Sequence, residues 1–147
     1  MEDVALLKKM ALFQGLDAME MVQVSKRVSH RKAAAYEVVA AQGSPGSSLF
    51  VVRSGKLLVS VPHDQSREVL AELGPGQHFG EVSLIDHGPR SAEVKALADS
   101  ELLELDERGF RELLAFSPEL RDKLQANLLL DLCSKIRRTN DRLLQML

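Results

Sequence analysis

The chain has 147 residues, the size of a single domain, with 45% hydrophobic and 27% charged residues and a formal net charge of −2. That balance leaves no basic footprint for nucleic acid. No apolar run approaches the roughly 20 residues a membrane span needs, and the acidic start "MEDVALLKKM" lacks the form of a signal peptide. The single cysteine, Cys133, excludes an internal disulfide and suits a reducing, cytoplasmic setting.

In chain order, the pattern divides into three parts. From Asp3 to about His30 apolar residues recur at helical spacing, first Val4, Leu7, Met10 and Ala11, then Met19, Val22, Val24 and Val28. "FQGLD" interrupts this run with a glycine, which predicts two short helices around a turn, with helices over about residues 1–34. From about 35 to 106 turn signals such as "QGSPGSS", "RSGK", "PHDQSRE" and "GPGQ" separate short apolar segments, among them "YEVVA", "LFVVR", "KLLVSV", "EVLAEL", "SAEVKAL" and "ELLEL". Several of these alternate, as in Ala92, Val94 and Ala96, so the middle part reads as an antiparallel sandwich, jelly roll or barrel.

Helical spacing returns over 107–147. Asp106 is placed to cap "ERGFRELLAF", and "SPEL" supplies a second start with Ser117 as cap, Pro118 at the first helical position and Glu119 in the first turn. The last helix then carries a stripe of Leu120, Leu124, Leu128, Leu132, Ile136, Leu143 and Leu147, interrupted at Asn140. At about 30 residues it would be roughly 45 Å long. Its distal turns extend beyond the β-core and call for a second chain, so a homodimer through this helix is expected.

The segment "HFGEVSLIDHGPRSAEV" concentrates the chemistry. A cyclic phosphate diester holds one fixed negative charge, and it suits a guanidinium fork and the free amides of a helix start. A neighbouring ribose hydroxyl suits a carboxylate acceptor. Gly80 permits close backbone approach, the stretch from Glu81 to Asp86 is long enough for a short helix, Glu81 supplies the carboxylate, and Arg90 with Ser91 supplies the phosphate partners.

At these residues the chain resembles the cyclic-nucleotide-binding domain family, of which the sensor domains of bacterial catabolite activators and of protein kinase A regulatory subunits are members. Phe79, Gly80, Glu81, Val82, Ser83, Leu84, Pro89, Arg90, Ser91 and Ala92 match the family's phosphate-binding cassette in order and spacing. "LFQGLD", "QGSPGSSLFVVRSGKLLV" and the two helices after "LELD" and "SPEL" extend the likeness to about residues 10–140. The resemblance implies a single domain, 1–147. Its fold would be an eight-stranded antiparallel β-roll with N-terminal helices, a short cassette helix and two C-terminal helices.

It also implies roles. Arg90, Ser91, Gly80 and Ser83 would hold the phosphate, and Glu81 the ribose. Phe79, Val82, Leu84 and Ala92 would line the pocket, and the C-terminal helix would close over the base. The implied activity is non-catalytic sensing of cAMP or cGMP, signalled by movement of that helix to a dimer partner or an unidentified effector protein. No cofactor, nucleic acid or membrane is implied. These 147 residues hold no DNA-reading, kinase, channel or cyclase domain, so a sensor without an attached output domain is expected, either as a stand-alone adaptor or as the sensor residues of something longer.

Two departures qualify the match. Glu93 brings a second carboxylate into the strand after the cassette, in a register opposite to Ala92 and Val94. Counting from the cassette arginine, the position of the adenine-contacting hydroxyl in the catabolite activator falls on Lys135, a donor with no acceptor. Ser134, Arg137, Arg138 and Asn140 are polar candidates nearby, which leaves the choice between cAMP and cGMP open. The alternatives are a ligand-free dimerisation or interaction module of the same fold, and a cyclic di-GMP binder. A metal enzyme fits poorly: His78 is followed by Gly80 where a metal-binding cupin would place a second histidine, and His30, His63 and His87 stand apart. Cys133 lies among leucines and has no nucleophile motif around it.

Overall fold

The computed structural model describes residues 2–147. The chain opens with α1 (Glu2–Lys8), a 3-10 turn (Ala11–Phe13) and α2 (Ala18–Lys26). Eight strands follow: β1 (Val28–Ala33), β2 (Val38–Ala40), β3 (Ser48–Ser54), β4 (Leu57–His63), β5 (Ser66–Leu73), β6 (His78–Phe79), β7 (Glu93–Ala96) and β8 (Ser100–Asp106). A short helix, α3 (Glu81–Asp86), interrupts the roll between β6 and β7, and α4 (Glu107–Phe116) and α5 (Pro118–Met146) close the chain. Among the described residues no helix is long and apolar enough to cross a membrane.

The strands form two four-stranded antiparallel sheets, ordered β1-β8-β3-β6 and β2-β7-β4-β5. Between them lies one core, built on Phe50, Val52, Leu57, Val94, Ala96 and Leu102. A second and larger core fills the space between the outer face of the first sheet and the helices, where Leu49, Val51, Leu103 and Leu105 meet Phe13, Val24, Leu113, Leu120 and Leu124. Because β3 feeds both cores, residues 48–52 are all buried, and 49–52 read as a continuous apolar run instead of an alternation.

The caps act as the residue types demand. Asp106 accepts from the Gly109 amide at 2.8 Å, Ser117 from the Leu120 amide at 3.1 Å, and Asp17 forms a reciprocal capping box with Glu20. Helix α5 runs 29 residues without a break at Asn140. Its stripe divides: Leu120, Leu124 and Leu128 are buried, while Ile136, Leu143 and Leu147 are exposed.

Three local expectations are corrected. Val28, assigned to a helical stripe, begins β1, which pairs with β8 through all six of its residues. Met19 and Val22 are exposed, and Met21 and Val24 carry the buried face of α2. The "PHDQSRE" turn is tighter than its composition suggests. Strands β4 and β5 pair through Pro62↔Arg67 and His63↔Ser66, so only Asp64 and Gln65 turn the hairpin.

Candidate ligand site: the cassette between β6 and β7

Residues 79–83 and 90–92, with Val59 and Val94, surround a cavity of about 100 Å³. Phe79 enters the site from β6, where pairing with β3 sets it opposite Phe50, and the two rings stack 5.0 Å apart. Gly80 then turns the chain into α3 with φ +100°, a conformation that penalises any side chain. A Cβ there would also stand 2.3 Å from the Ser48 carbonyl oxygen and 2.7 Å from Nη1 of Arg90. A helix leaves its first amides without partners inside the helix. In α3 these belong to residues 81–83, on the cavity wall.

Arg90 is buried. Its Nη2 donates to the Ser48 carbonyl at 3.1 Å, its guanidinium carbon lies 5.8 Å from the centre of the Phe50 ring, and its Nη1 has no hydrogen-bond partner among the described residues. Its backbone is fixed as well: the Arg90 amide donates to the Ser44 carbonyl at 2.9 Å, and the Gly43 amide donates to the Arg90 carbonyl at 2.8 Å. Burial lowers the Arg90 pKa, with the Glu104 charge opposing the shift. An arginine starts so high that it stays cationic. A buried cation with an open donor beside free helix amides is a receptor for a compact anion.

Glu81 is also buried. One carboxylate oxygen holds the ammonium of Lys135, and the other has no hydrogen-bond partner among the described residues. Asp131, one turn earlier on α5, lies 3.2 Å from the same ammonium, and Nε2 of His78 lies 3.9 Å from Glu81 and 3.8 Å from Asp131. Burial, reinforced by the Arg138 charge, pushes the Lys135 pKa down to about 8. Burial first and the Lys135 charge second hold the His78 pKa below its ordinary value. Among the described residues, His78, Glu81 and Asp131 are the one group able to offer three metal-ligand atoms, within 4.8 Å of one another. The Lys135 ammonium already brings positive charge to this group.

Most of the expected site residues meet at the cavity: Phe79, Gly80, Glu81, Val82, Ser83, Arg90, Ser91 and Ala92 all line it. Leu84 does not. It turns inward from α3 and packs in the helix-side core, 2% exposed. Ser134 is exposed on α5 and is absent from the cavity wall. Arg138 borders a separate cleft with Lys9, Gln77 and His78. Lys135 reaches the carboxylate of the cassette. Glu93 points away from the cavity, 3.5 Å from Arg67, while its neighbours Ala92 and Val94 line it.

Several contributors escaped the sequence reading. Gly46, read as a turn glycine, leaves room for Arg90, since a Cβ there would meet the guanidinium Nε at 2.0 Å. Ser48 and Phe50 hold the guanidinium. The only signal in the sequence was the "QGSPGSS" run, which marks a turn but not what the turn packs against.

Comparison with known proteins agrees with this geometry. A family model, described as cyclic nucleotide-binding domain, matches residues 30–116. The chain belongs to the cyclic nucleotide-binding domain family. It is 28% identical over 143 residues to the CRP-like cAMP-activated global transcriptional regulator of Mycobacterium tuberculosis, covering 97% of this chain and 62% of that protein. The crystal structure of the Thermus thermophilus catabolite activator protein superposes with a TM-score of 0.83 at 32% identity, over 93% of this chain and 63% of that one. A cyclic nucleotide-binding domain from Methylobacillus flagellatus gives a TM-score of 0.85 at 26% identity, over 99% and 83%. The chain thus spans less than two thirds of the length of the first two relatives.

Proposed function

We propose that this domain is a regulatory sensor for a cyclic mononucleotide, cAMP or cGMP. The observation that carries the reading is the buried Arg90 guanidinium, whose Nη1 lacks a partner, beside the first amides of α3. Arg90, Ser91 and the amides around Gly80 and Ser83 take the cyclic phosphate, and Glu81 takes the ribose 2′-hydroxyl. The names of relatives support the ligand class: one is cAMP-activated, and a regulatory domain of Toxoplasma gondii protein kinase A, 30% identical with a TM-score of 0.71, was crystallised with cAMP.

The signal leaves through α5. This helix touches the cassette through Lys135 on Glu81 and Asp131 beside His78, and its distal apolar residues, Ile136, Leu143 and Leu144, are exposed for a second copy of the chain or an effector protein. That same surface favours the second reading, a dimerisation module that binds no nucleotide.

Calorimetric titration with cAMP, cGMP and cyclic di-GMP separates these readings. Wild-type protein binds one of the mononucleotides, and Arg90→Ala weakens it by about 30-fold or more, the effect of removing one partner of a buried charge pair (roughly 2–5 kcal/mol). Absence of heat with all three, from folded protein, leaves the dimerisation module. Binding of cyclic di-GMP alone changes the ligand class.

A further inference from the structure

The carboxylate assigned to the ribose hydroxyl already has a cation on it. Lys135 reaches from α5 to one oxygen of Glu81, and it does so from between two carboxylates, because Asp131 of its own helix lies 3.2 Å away. The arrangement has two consequences. The ammonium ties the middle of α5 to the start of α3, in a part of the helix where the apolar anchoring by Leu120, Leu124 and Leu128 has ended. It can also release Glu81 and remain paired, because Asp131 travels with it on the same helix.

We propose that Lys135 is an internal competitor for the ribose acceptor. In the free protein its ammonium holds one oxygen of Glu81 and clamps α5 to the cassette while the other oxygen is shut off from solvent, and a ligand 2′-hydroxyl gains the held oxygen only by shifting the ammonium onto Asp131. This rests on the reading of Glu81 as the ribose acceptor. Lys135 thereby determines specificity for the sugar: each ribonucleotide displaces an ion pair before its hydroxyl is bound, which compresses the preference for ribose over deoxyribose and links hydroxyl recognition to release of the helix. A ligand can move such an element only by contacting its two positions differently, and Glu81 is the contact that differs.

The test uses Asp131→Asn/Lys135→Met, which removes both α5 charges so that no carboxylate is left unpaired beside Glu81, with Lys135→Arg as the conservative variant. Affinities for cAMP and 2′-deoxy-cAMP, and for the corresponding guanine pair, are measured by calorimetry. In the double variant the ratio of deoxy to ribo dissociation constants rises about tenfold, the size of a charge-assisted hydrogen bond no longer offset by displacement. In Lys135→Arg it stays within about twofold of wild type. A merely structural role for Lys135 changes both affinities by one factor and leaves the ratio unmoved.

A second readout needs no ligand. Amide hydrogen exchange over residues 131–140 of the free protein becomes several-fold faster in the double variant and returns toward wild type in Lys135→Arg. An unchanged ratio or an unchanged exchange rate overturns the proposal. If wild type binds none of the four nucleotides, the sensor reading fails, and the exchange rates alone decide whether Lys135 clamps the helix.

Discussion

The cassette and the distal half of α5 are held by different physics. Around Arg90 almost every freedom has been removed: its backbone is bonded in both directions to the 43–44 turn, its guanidinium is fixed by Ser48 and Phe50, and glycines at 46 and 80 give it room. Past Leu128, α5 loses its buried apolar face and touches the domain through polar contacts, among them Lys135 to Glu81, Asp131 to His78 and a 3.4 Å bond from Arg142 to the Leu70 carbonyl. A group that recognises a fixed charge gains from being preorganised, since little ordering remains to oppose binding. An element that reports binding must have a second position close in free energy, and a helix held by exchangeable ion pairs can have one.

Four perturbations sharpen this contrast; the largest effect comes first, with its matched control beside it, and the smaller ones follow. Leu124→Ala, at a fully buried position on the proximal half, lowers unfolding stability by about 2–5 kcal/mol in denaturant titration. Leu143→Ala on the exposed half changes it by about 0.5 kcal/mol or less at concentrations where the chain is monomeric. Equal losses at the two positions would mean that the distal half is packed as firmly as the proximal.

Gly80→Ala forces a side chain into left-handed backbone and against the Ser48 carbonyl. It costs roughly 1–3 kcal/mol of stability, and nucleotide affinity falls with it; unchanged thermal unfolding and titration would contradict that. The smallest effect concerns pH. His78 has a folded-state pKa held below the unfolded value by burial and Lys135, so the folded state takes up a proton less readily. Its stabilising contribution is present above the unfolded value of about 6.5 and is lost as pH falls from there through the lower folded-state pKa. Stability measured from pH 8 to 5 therefore falls less steeply in His78→Gln than in wild type, and parallel curves would remove His78 from the account.

The cassette was legible in the sequence because its chemistry is local: Glu81 and Arg90 stand nine positions apart in one ordered motif, and both line one cavity. The frame around it was not. Ser48 and Phe50 precede the motif by some thirty to forty residues, and only the register Phe50↔Phe79 and Val51↔His78 brings β3 under it. The Lys135 contact was hidden for the same reason. Counting from the cassette arginine singles out this lysine, but how far its side chain reaches and which carboxylate it meets depend on how the helix lies. Leu84 shows the complementary error, since residues of a short helix alternate between cavity and core and motif membership does not say which. Strand β1 lacked any visible period, with a burial pattern that alternates poorly along its length.

The most direct measurement is an amide and arginine side-chain NMR titration of the free protein with the nucleotide that calorimetry identifies. The account predicts large shifts at the amides of residues 80–83 and at the Arg90 Nε–H. Residues 131–140 of α5 shift concurrently, while β1, at the edge of its sheet opposite to β6, stays in place. Shifts confined to α5, with the Gly80–Ser83 amides and Arg90 unmoved at saturating ligand, would contradict it.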